Sequence, residues 1–177
     1  MNRRNLFMTV AAMAFSLAVM AAGVNLSGTW VLDKDKSDTP RFGPGGGGPR
    51  GGGGQGGPPD ITLVIQQTDN DLQITRKFSR GGQERSLEQK FTLDGQENTN
   101  PAGMGRGGSG ELKSKSKWNK DSLVIEGTQK VSSPRGDFEV QVKEELSLSA
   151  DGKTLTVHTT RNTPMGENTM KQVFNKK

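Results

Sequence analysis

Cysteine is missing from all 177 residues. Disulfide stapling, thiolate zinc sites and a lipidated cysteine at a leader cleavage site are therefore excluded. Histidine occurs once, as His158, opposite the apolar parity of Leu155 and Val157. Alone it builds neither a Ser–His–Asp triad nor a multi-histidine metal site. Tyrosine is absent, aromatics make up 5 % and hydrophobic residues 29 % of the chain. Part of that apolar content lies in the first 22 residues, so the folded part has a modest core, best enclosed by one layer that closes on itself. No segment shows a sustained 3.6-residue period, and after residue 22 no apolar run is long enough to span a bilayer as a helix.

What is present begins with Arg3 and Arg4, then an apolar run from Leu6 to Ala22, then Gly23. Charge, apolar run and small residues in that order form a secretory signal peptide over 1–23. Cleavage after Ala21 and cleavage after Gly23 both satisfy the small-residue rule. An uncleaved anchor helix is the rival reading. A periplasmic or secreted location is expected. Removing Arg3 and Arg4 from the +5 chain leaves +3. The remaining basic residues are interspersed with acids, unlike a nucleic-acid footprint, so no nucleic-acid partner is expected.

Residues 24–177 read as one domain. Residues 26–33 form a first strand. Two glycine-rich stretches, 41–59 and 101–110, read as loop insertions, because glycine and proline oppose ladder formation. The rest alternates with period two. Ile61, Leu63 and Ile65 share a face, as do Leu72, Ile74 and Phe78. Leu87, Phe91 and Leu93 follow, then Leu112 with Trp118, then Leu123, Ile125 and Val131. Phe138, Val140, Val142, Leu146 and Leu148 share the next face, then Leu155 and Val157. The last strand covers about 168–175, with Met170 and Phe174 together. Asp69-Asn70, Gly81-Gly82, Asp94-Gly95 and Asp151-Gly152 supply the turns. About nine strands joined by short turns make a meander. The expected fold class is all-β: an up-and-down antiparallel meander of eight to ten strands closed into a barrel, with an open two-sheet sandwich as the alternative.

Gly28-Thr29-Trp30 opening the first strand of a meander resembles the start of lipocalins and their calycin relatives. The resemblance implies a structural plug: Gly28 and Trp30 at the closed end of the barrel, with an arginine from a late strand over the indole. Arg161 is the expected arginine, through cation–π packing. Ser27 to Trp30, Asp33, Lys36-Ser37 and the closing Val173-Phe174-Asn175-Lys176 also resemble small exported bacterial proteins of lipocalin-like type, mostly of unassigned function. The chain lacks the C-terminal helix of lipocalins. It shares an opening with avidins but lacks the aromatics that biotin pockets need.

The apolar parity carries polar residues inward with it: Arg76, Gln89, Ser114, Ser116, Glu144 and Gln172. With Trp118 they are the expected ligand-binding residues, Arg76 holding an anionic head group inside an otherwise apolar cavity. An Arg76–Glu144 structural pair explains two of them without a ligand. Other motifs fail on context. Gly103, Gly105 and Gly108 fit a dinucleotide fingerprint, but Glu111 to Trp118 alternates as a strand where a helix is required. Asp33, Asp35 and Ser37 begin a calcium-loop pattern that breaks at Asp38 and Pro44. Arg-Gly-Gly at Arg50, Arg80 and Arg106 and Arg135-Gly136-Asp137 are turn chemistry. The expectation is an exported monomer that binds a small apolar or amphipathic ligand, without cofactor, metal or enzymatic activity. A filled barrel using its glycine-rich stretches as contact surfaces is the alternative.

Overall fold

A computed structural model describes residues 24–38, 59–102, 110–133, 136–163 and 166–177. Residues 1–23, where a leader is expected, residues 41–58 and residues 103–109 lie outside the described residues. Ten strands run in chain order: β1 Gly28–Leu32, β2 Asp60–Gln67, β3 Asp71–Arg80, β4 Gln83–Thr92 and β5 Glu97–Ala102, then β6 Gly110–Asn119, β7 Ser122–Ser133, β8 Gly136–Leu148, β9 Thr154–Thr163 and β10 Gly166–Lys176. No described residue is helical.

All ten strands belong to one antiparallel sheet, in the order β4-β3-β2-β1-β10-β9-β8-β7-β6-β5. The sandwich alternative is thereby overturned. Every sequence neighbour pairs except β4 with β5, and β1 zips to β10 through Trp30↔Lys176, Val31↔Asn175 and Leu32↔Phe174. The sheet is thus a nearly closed barrel. Ile61, Leu63, Ile65, Leu72, Ile74, Phe91, Leu123, Ile125, Leu146, Leu155, Val157 and Phe174 point inward and form one core. Period-two sequence becomes a barrel because alternate side chains face opposite sides of the sheet, and closure hides the apolar side.

β5 escaped the sequence reading, and the reason is physical. Its inward residues are Asn98, Asn100 and Ala102 rather than an apolar row. Pro101 and Ala102 belong to β5 and Gly110 to β6, so the expected loop over 101–110 is shorter at both ends. Pro101 is tolerated because β5 has a ladder partner on only one side, where it opposes Glu111.

The closed end is built around Trp30, which is fully buried. Its Nε1–H donates to the Leu26 carbonyl at 2.9 Å. Gln67 fastens the segment before β1: its Oε1 accepts from the Leu26 N–H at 2.9 Å and its Nε2 donates to the Val24 carbonyl at 3.0 Å. The carboxy end meets the same pole, where the Lys177 N–H donates to the Thr29 carbonyl at 2.9 Å. Lys176, not Arg161, covers the indole, with Nζ 5.2 Å from the ring centroid. Arg161 is exposed and opposes Val142 and Asn168, in the half of the barrel away from Trp30. The expected arginine is corrected to a lysine contributed by the strand that closes the ring. Gly28 has φ 148°, and a side chain there would meet Lys176 Cε at 3.1 Å.

Turn aspartates hold the connections. Asp33 accepts from Asn175 Nδ2 at 3.1 Å and from the backbone N–H groups of Asp35 and Lys36. The Asn175 hydrogen bond, then that of Lys36, lowers its pKa below the usual carboxylate value. Asp94 is lowered chiefly by the Gln96 N–H and then by Thr92. Asp151 is lowered chiefly by the Ser149 hydroxyl and then by the Lys153 N–H.

Candidate functional site

Strand direction separates two halves of the lumen. Next to Trp30, the side chains of Leu26, Ile74, Leu123, Leu146 and Leu155 are fully buried. At the other end exposure rises: Leu112 and Val142 are 8 % exposed, Phe78 and Val131 are half-buried, and Phe138 is 41 % exposed. That end is the mouth.

Arg76 and Glu144 lie between these halves. Arg76 follows Ile74 and precedes Phe78 on β3; Glu144 stands between Val142 and Leu146 on β8. β3 and β8 are five strands apart whichever way the ring is followed, so they are opposite walls. An Arg76 Nη2 to Glu144 Oε2 ion pair nevertheless joins them directly. The two side chains meet across the lumen at this level, and the pair forms a charged floor beneath the mouth half. The two side chains are 14 % and 13 % exposed. Two charges taken out of water are stable only when well paired. Here one donor is left over: Arg76 Nε is buried with no hydrogen-bond partner. A buried N–H without an acceptor is unfavourable, and an acceptor brought into the lumen would relieve it.

The other expected site residues all point inward. Gln89 is 6 % exposed and donates from Nε2 to the Pro101 carbonyl at 3.0 Å. Ser116 is fully buried and donates to the Thr92 carbonyl at 2.8 Å. Both residues thus direct a donor to the wall itself. Ser114 is 2 % exposed, and its Oγ has no partner. Gln172 is buried in the row of Val157 and Leu146, on the Trp30 side of Glu144. Trp118 opposes Leu123 and packs partly buried against the core. It therefore belongs to the closed half, away from the mouth. Three inward polar residues were missed. Thr159 continues the parity of Leu155 and Val157 and opposes Glu144, so its position was readable. Asn98 and Asn100 had no apolar neighbours to set their parity.

A concavity of about 350 Å³ lies on the outer face of β5 to β8, lined by Glu97, Lys113, Lys115, Glu126, Lys130 and Glu139. Opposite charges face each other across its strands, as in Glu97↔Lys115 and Lys115↔Glu126. It is a self-neutralised surface. Its floor follows from Gly127: a Cβ there would sit 2.1 Å from the Lys113 carbonyl oxygen, so only glycine lets β7 approach β6 this closely.

The zebrafish ileal bile acid-binding protein, solved with cholic acid, aligns over 86 % of this chain and 98 % of its own, with TM-score 0.54 and 15 % sequence identity. The fold is that of the lipocalin-like calycin barrels. A structure titled REP1-NXSQ fatty acid transporter aligns over 86 % of this chain and 96 % of its own, at TM-score 0.48 and 15 % identity. No protein-family model matches the sequence, and no curated protein matches it. Within this barrel, Arg76 Nε stands without a partner below a rim that exposes Phe138 and half-buries Phe78 and Val131.

Proposed function

We propose that this chain is an exported carrier barrel for a small amphipathic anion. The apolar body of the ligand would lie in the mouth half against Phe78, Leu112, Val131, Val140 and Val142. Its acid group would reach the charged floor, where Arg76 Nε is free to donate. The observation that carries the reading is this guanidinium: buried, held by a carboxylate on the opposite wall, and still short of one acceptor. An apolar pocket with a few converging polar groups is the usual form of a small-molecule site. A calycin barrel that takes up cholic acid makes a carboxylated apolar body a sensible ligand class to test. The charge, apolar run and small residues of the leader support export to the periplasm or the exterior. The chemistry needed is retention and release, with no reacting group.

The test is native mass spectrometry of gently purified protein, followed by titration with cholate and 1-anilinonaphthalene-8-sulfonate. Stoichiometric binding, lost in the Arg76→Met/Glu144→Leu double variant, is expected. That variant removes the charge without leaving a partner stranded. Absence of any retained or titrated ligand would favour the filled-barrel reading, for which the ion pair crossing the lumen is the supporting observation.

A further inference from the structure

Charge is sorted between the two faces of the barrel wall. The described arginines are Arg76, Arg80, Arg85 and Arg161, and all stand at inward parity. Arg76 and Arg80 follow Ile74 and Phe78 on β3, Arg85 shares its row with Gln89 and Phe91 on β4, and Arg161 continues that of Val157 and Thr159 on β9. The strand lysines take the outward parity, apart from Lys176 over the indole. Lys113, Lys115 and Lys117, for example, alternate with the inward Leu112, Ser114 and Ser116. The strand carboxylates are outward as well, with Glu144 the single inward exception among the described residues. The lumen wall is therefore rich in guanidinium and poor in carboxylate. A guanidinium, unlike an ammonium, matches a carboxylate with two parallel hydrogen bonds.

The Arg76–Glu144 contact ties one level of β3 to one level of β8. Arg85 opposes Phe78, two residues mouthward of Arg76, and Arg161 opposes Val142, two residues mouthward of Glu144. Each therefore stands one two-residue step, about 7 Å, above the floor. β4 and β9 are five strands apart whichever way the ring is followed, so these two guanidiniums come from opposite walls. Both residues are exposed, and neither has an ion-pair partner among the described residues. The charge of Arg76 is answered by Glu144, whereas Arg85 and Arg161 have no counter-charge in the lumen. Two anion positions, one buried and one wet, are thus stacked along the lumen beside Phe78 and Val142.

We propose that the carried ligand is a dianion: an apolar body with one acid group on the Arg76 floor and a second between Arg85 and Arg161 at the mouth. This ligand class rests on the carrier reading above. A second carboxylate ordinarily weakens entry into an apolar pocket, because its hydration is lost. Here it would stay in contact with water while meeting two guanidiniums, so that penalty is avoided and charge attraction is added. The same inward positive charge draws anions to the opening before they enter.

Isothermal titration with octanedioate, decanedioate and dodecanedioate, each against the monocarboxylate of the same length, decides it. At low salt the best diacid is expected to bind about tenfold tighter than its monoacid, through two wet guanidinium contacts. In Arg85→Gln/Arg161→Gln the advantage is expected to vanish: diacid binding weakens about tenfold while monoacid binding is unchanged. Equal binding of diacid and monoacid by the parent, or an advantage kept by a variant whose circular dichroism matches the parent, overturns the dianion and leaves the carrier reading standing. A salt series on the unmodified protein decides the matter even if the variant does not fold. The advantage is expected to disappear in about 1 M salt, because the rim is open to ions, while monoacid affinity at the buried floor changes little. An advantage insensitive to salt overturns the rim site. If neither member of any pair binds, the carrier reading fails and the dianion with it.

Discussion

The ion pair across the lumen sets up a sharp stability experiment. Glu144→Gln keeps the size of the side chain and removes its charge, stranding Arg76 in a site where its own side chain is 14 % exposed. Removing one partner of a buried pair costs about 3–5 kcal/mol, because the remaining charge is left uncompensated. For a domain of this length that is a fall in melting temperature of roughly 6–20 °C, at about 2–4 °C per kcal/mol. Arg76→Met should be equally harmful for the mirror-image reason. The double variant Arg76→Met/Glu144→Leu should recover most of the loss, since an apolar pair of similar volume is neutral to about 4 kcal/mol stabilising. Urea unfolding of the four proteins completes a double-mutant cycle and isolates the pair term. Repeating it in 1 M salt should leave the coupling intact, because ions do not reach a buried pair. If each single variant costs less than about 1 kcal/mol, as exposed pairs do, the pair is bathed in water and the charged floor does not exist.

Other predictions follow from the closed end and the turns. Gly127→Ala should destabilise the barrel by about 1–3 kcal/mol or more, measured by urea midpoint, because the new methyl meets the β6 backbone rather than a yielding side chain. Lys176→Ala should change the Trp30 emission and cost about 0.5–1 kcal/mol, whereas Arg161→Ala should leave the emission of Trp30 unaltered. Asp33, Asp94 and Asp151 all have folded-state pKa values below the ordinary one, so each contributes stability that is complete above the unfolded carboxylate value and disappears as pH falls through the lower folded value. Urea midpoints should therefore hold from neutrality down to about pH 5 and fall below about pH 4, and Asp151→Asn should blunt that acid loss.

The parity of Ile61, Leu63 and Ile65 and of the strands after them made the barrel wall readable, because a one-residue error would have turned whole rows outward. Arg76 and Glu144 were readable as inward charges for the same reason, although their contact was not. They lie 68 positions apart. Only the closure of the ring turns the two side chains toward each other across the lumen. β5 was not legible because its inward face makes its contribution through amides bonded to another strand, and such bonds leave no apolar signature. Arg161 was assigned by analogy of chain position. The register instead puts the carboxy-terminal strand beside Trp30, so the cation that covers the indole comes from Lys176.

Val24, held by Gln67, and Lys177, held by Thr29, leave the barrel at the Trp30 pole. Anything joined to either end departs from the side opposite the mouth. The same geometry lets the protein be immobilised by either end on a sensor chip without obstructing its rim. It also places the two ends close enough for a short peptide to join them in a circular permutant.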